Sequence, residues 1–62
     1  MKILASSKQT NTILVDIEDD TDTDYLWKWG MYEEQDDGNY LITPPNTPTI
    51  NFDVCLSNLR KL

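Results

Sequence analysis

Ten of the eleven acidic residues in this chain fall between positions 16 and 37, where Lys28 is the only base. That segment carries a net charge of −9; the remainder, with Lys2, Lys8, Arg60 and Lys61 against Asp53, carries +3. Burying unpaired carboxylates is prohibitively costly, and like charges held close together repel. The acids of this block must therefore sit at a surface, and the core has to be assembled mainly from the apolar stretches around and between them.

A chain of 62 residues gives one domain spanning residues 1–62, which buries only about 60% of the surface its unfolded chain exposes. A deep, dry catalytic pocket would hollow out such a core. Cys55 is the only cysteine and there is no histidine, so an internal disulfide is impossible and a structural zinc site is close to excluded. A single thiol fits a reducing compartment. Self-association remains as an aid to a small core, which keeps a homodimer open. The opening residues have one charge and a very short apolar run, too short for a secretory leader. No stretch approaches the roughly 18 apolar residues of a membrane helix. The expected location is cytoplasmic, the host cell cytoplasm if the protein is viral, and no membrane contact is expected.

Hydrophobic alternation points to strands. Ile13, Val15 and Ile17 share one face of a β-branched run over residues 12–17. Tyr25, Trp27, Trp29 and Met31 alternate in the same way over residues 25–32, and Tyr40, Leu41, Ile42 and Thr43 read as a short strand. Residues 2–6 are positioned to pair with the 12–17 strand through a turn at residues 7–11. Asp37-Gly38 is a strong turn signal, since glycine accepts positive φ. Residues 18–24, all acidic or threonine, read as another connection. Short links between consecutive strands imply an antiparallel meander.

Pro44, Pro45 and Pro48 stop the last strand, because proline offers no ladder hydrogen. Beyond them Phe52, Cys55 or Leu56, Leu59 and Leu62 recur at helical spacing. Asn51 or Thr49 is placed to cap that helix, Asp53 suits its first turn, and Arg60 and Lys61 suit its last. The expected fold class is α+β: a small antiparallel sheet of three to four strands with one C-terminal α-helix on a face. An all-β alternative survives, because Ile50, Phe52 and Val54 also alternate and residues 49–56 read equally as a strand.

Chemistry is poorly provided for. Without histidine there is no ready general base, and neither a phosphate-binding glycine loop nor a nucleophile elbow is present. Asp20-Thr21-Asp22-Thr23-Asp24 opens like a calcium loop, but the sixth and twelfth positions, which need glycine and glutamate, hold Tyr25 and Met31. No catalytic residue, metal or cofactor is expected, and the protein is read as a binder and not an enzyme.

A net charge of −6 excludes direct nucleic-acid binding through a basic surface and selects a partner with a Lys- and Arg-rich one. The candidate partner-binding residues are Glu18, Asp19, Asp20, Asp22, Asp24, Tyr25, Tyr32, Glu33, Glu34, Asp36 and Asp37, the two tyrosines serving to stack on arginine. On a strand over residues 25–32 the two acidic loops lie at opposite ends, about 26 Å apart at roughly 3.3 Å per residue. In size, charge and lack of catalytic groups the chain resembles the small inhibitors that phages make against host nucleic-acid enzymes, anti-restriction and anti-CRISPR proteins among them. The likeness is one of composition and covers no motif. It implies an acidic inhibitor that occupies a basic nucleic-acid-binding surface by mimicry or steric occlusion. The alternative is a general interaction module, such as an antitoxin, an immunity protein or a small complex subunit, binding through its aromatic strand face.

Overall fold

Alternation in the first apolar runs becomes a hairpin in the computed structural model, which describes residues 1–26, 31–35 and 38–61. Strand β1 (Lys2–Ser7) pairs antiparallel with β2 (Thr12–Asp16). Asn11 takes a φ of 57° at the turn, a left-handed conformation that asparagine tolerates, and its side-chain amide donates to the Pro44 carbonyl at 2.8 Å. An irregularity between Ile3 and Ala5 shifts the register and leaves Leu4 44% exposed on the sheet edge.

The acidic connection after β2 is a helix. α1 (Asp20–Leu26) is opened by Asp19, whose Oδ1 accepts from the backbone N–H of Thr21 at 2.9 Å and of Asp22 at 3.3 Å. Asp22 reaches back, its Oδ2 accepting from the N–H of Asp19 at 3.4 Å and of Glu18 at 3.0 Å. This reciprocal arrangement is a capping box with aspartate at its third helical position. Negative side chains in a first turn also meet the positive end of the helix dipole. Two sequence expectations are corrected here: residues 20–24 are not a loop, and Tyr25 and Leu26 end α1 instead of beginning a strand. The tryptophans at 27 and 29 lie outside the described residues.

Strand β3 (Tyr32–Glu34) pairs antiparallel with β4 (Asn39–Ile42), and β4 pairs antiparallel with β2. The order across the four-stranded sheet is β1-β2-β4-β3. The meander is thus corrected: the third and fourth strands have exchanged places. β2 and β3 run in the same direction, which demands a crossover connection, and α1 supplies it. The most apolar strands take the centre. The short β3, bearing exposed Glu33 and Glu34, takes an edge, where charge discourages further pairing. Gly38, at φ 78°, turns the chain between them as Asp37-Gly38 foretold.

The last helix, α2 (Phe52–Arg60), settles the ambiguity over residues 49–56 in favour of helix. Asn51 is its N-cap, with Oδ1 accepting from the N–H of Val54 at 3.1 Å. Thr47 folds the preceding loop by accepting from the Ile50 N–H at 2.9 Å and donating to the Ile50 carbonyl at 2.7 Å. Ile13 and Val15 of β2, Ile42 of β4, Leu26 of α1, and Cys55 and Leu59 of α2 form the buried core. Both helices therefore cover one face of the sheet, where one was expected. Each large core side chain contributes about 1.5–3 kcal/mol by leaving water. The α+β class, the four-stranded antiparallel sheet and the C-terminal helix stand as the sequence implied. Among the described residues no helix is long and apolar enough to cross a membrane.

Candidate acidic interface

Strand pairing fixes where the acidic segments go. Asp16, the last residue of β2, lies opposite both Lys2 and Asn39, and Glu34, the last of β3, lies opposite Tyr40. The link from β2 into α1 and the β3–β4 turn therefore leave the same end of the sheet. Only β4 separates β2 from β3, so their ends are about 10 Å apart at two strand spacings. This is close to the roughly 8 Å over which salt screens charge. The expectation of two separate clusters about 26 Å apart is corrected to a single acidic pole.

Asp16, Glu18, Asp19, Asp20, Asp22 and Glu34 are six described acids at or beside this end, facing two cations, Lys2 and the Met1 amine. The surplus is four negative charges, equal to about 7 Å of duplex axis at one charge per roughly 1.7 Å. A pole of this size replaces a few phosphates, not a length of double helix. Asp36 and Asp37 lie outside the described residues. The turn around them is closed by the Gly38 N–H donating to the Gln35 carbonyl at 3.2 Å and the Gln35 N–H donating to the Asn39 carbonyl at 2.7 Å.

The acids differ in what they are free to do. Asp22 is buried, 7% exposed, and its Oδ2 lies 2.8 Å from the Met1 amine. Bonding to that amine holds the Asp22 carboxyl below the usual carboxylate range, against the cost of burial, with help from the Glu18 and Asp19 N–H groups. The amine is raised in turn, chiefly by Asp22 and secondarily by Glu18, whose Oε1 is 3.4 Å away. Asp22 is thus a structural anion that ties the first residue to α1, and it is withdrawn from any partner. Asp19 is partly engaged as the cap of α1. Glu18, Asp20, Asp24, Glu33 and Glu34 are exposed.

Neither tyrosine stands clear for stacking. Tyr25 and Tyr32 are half-buried and pack against the core, with the Tyr32 ring 5.7 Å from that of Tyr40 at 55°. Asp16, which escaped selection from the sequence, belongs to the pole. Its signal was the end of the 12–17 alternation, where a strand turns into a connection.

At the far end of the sheet a hollow of about 360 Å³ is lined by Lys8, Asn11, Asn46, Asn51, Phe52 and Asp53. Its principal polar groups are already engaged: Lys8 with Asp53 at 3.0 Å, Asn11 with Pro44, and Asn51 as a helix cap. The Cys55 thiol is buried in the core and pushed up to about 11 by that burial, which leaves almost no thiolate at neutral pH. Among the described residues no group of three or more carboxylates or thiols is arranged to hold a metal ion. No protein-family profile, no curated protein and no solved structure matches the chain.

Proposed function

We propose that this protein is a small acidic inhibitor that docks its negative pole on the nucleic-acid-binding surface of a basic protein and blocks it. The observation that carries this reading is the gathering of two acidic segments, distant in sequence, at one end of one sheet. Concentrated charge of this kind opposes folding through self-repulsion, and a function that uses the field accounts for that cost. Glu18, Asp20 and Glu34 are the exposed carboxylates that pair with lysine and arginine. The pole supplies only a few phosphate equivalents, so occlusion of the surrounding groove completes the block. The alternative through an aromatic strand face was read on Tyr25, Trp27, Trp29 and Met31; Tyr25 packs toward the core at the end of α1, and the two tryptophans lie outside the described residues.

Capture from a bacterial lysate tests this, using wild type and an Asp20→Asn/Glu34→Gln double variant with elution by a salt gradient. The expected result is a nucleic-acid enzyme retained by wild type, released early by the double variant, and inhibited only by wild type. Both substitutions sit on exposed positions, and circular dichroism serves to check that the variant is folded. Equal retention and equal inhibition by the two proteins would sink the reading.

A further inference from the structure

The helices cover one face of the sheet, and among the described residues no element covers the other. Register places Ala5, Leu14, Leu41 and Glu33 in one row across all four strands on that open face, since Leu14 pairs with Ala5 and Leu41, and Leu41 pairs with Glu33. The row spans about 14 Å at three strand spacings. Two shallow hollows flank Leu41, one of about 240 Å³ beside Ala5, Thr12 and Leu14, the other of about 310 Å³ beside Met31 and Glu33. Met31 is 59% exposed. The next row on this face toward the acidic pole is Lys2, Asp16 and Asn39, so the open face meets the pole at Asp16.

Area and charge decide what covers this face. Four strands by four or five residues give a footprint on the order of 300 Å². A standard interface takes about 800 Å² from each partner. The face alone is therefore too small to hold a second copy, and each copy would bring a net charge of −6. Whatever covers it gains the missing area on the adjoining pole and must be basic. Glu33 repeats that requirement inside the row, because among the described residues its carboxylate has no cationic partner.

We infer that the open face is the apolar half of the contact surface: it seats apolar side chains of a basic protein on Ala5, Leu14 and Leu41, while Glu33 holds an arginine or lysine that follows them. The inference rests on the reading of the pole as a site for a basic protein. Leu14 and Leu41 supply the desolvated centre, and the carboxylates supply the rim.

The test titrates isotope-labelled protein with two short synthetic peptides, followed by amide chemical shifts. One peptide has two leucines between arginines; the other has serines in their place. The expected result is at least tenfold tighter binding of the leucine peptide, with shifts at Ala5, Leu14, Leu41 and Glu33. Leu41→Lys should abolish the gain, and Glu33→Gln, an exposed change that leaves the core alone, should weaken the leucine peptide several-fold. Equal affinity for both peptides, with shifts confined to the pole, would overturn the inference and leave the inhibitor reading intact. Failure of both peptides to bind at low salt would overturn the two together.

Discussion

Asp22 shows how one residue in a run of look-alikes is set apart by its partners. Five acids stand within residues 18–24, and only Asp22 is buried and bonded to the Met1 amine. Its lowered carboxyl stabilises the fold at pH values above its ordinary value near 3.8, and that contribution is lost as pH falls through the depressed value. The raised amine works in the opposite sense. Its contribution is complete below its ordinary value near 8.0 and disappears as pH climbs through the raised one. Thermal midpoints measured against pH should therefore form a plateau between about pH 4 and 8 with a fall on each side. Asp22→Asn should lower the plateau and flatten the alkaline fall.

The elements divide by how their information is written. Asn51→Ala should cost about 1 kcal/mol of stability in urea unfolding, the usual worth of a helix cap, and Thr49→Ala should cost almost nothing. That choice between two candidate caps was left undecided by the sequence. The β1–β2 hairpin, β4 and α2 were legible, because alternation, an Asp-Gly turn and helical apolar spacing are local signals. α1 was not. Aspartate and threonine are weak helix formers, and the one clue, acids at positions 19 and 22, lay inside a run of acids where any spacing can be found. The identity of the candidate site was legible as a list of carboxylates. Its geometry was not, since bringing the ends of β2 and β3 to one end of the sheet depends on β4 entering between them.

Charge acts on the molecule as a whole. With the ends of β2 and β3 about 10 Å apart, the acids at this pole feel one another at low salt, where screening reaches about 30 Å, and much less at physiological salt. Raising sodium chloride from 10 to 200 mM should accordingly raise the thermal midpoint by several degrees, the equivalent of about 1 kcal/mol of relieved repulsion in a domain of this size. A midpoint that stayed flat or fell would show that the carboxylates do not feel one another. The strand order carries a separate consequence, for how the chain comes together in time. β2 has its inner neighbour in residues 39–42, which leave the ribosome after everything else in the sheet. The first half of the protein is thus half a sandwich with its middle slice missing: a hairpin, a seven-residue helix and an acidic tail that cannot settle alone. Until residues 39–42 emerge, β2 lacks its inner neighbour and β3 its only one, so the sheet closes around the strand that is made last.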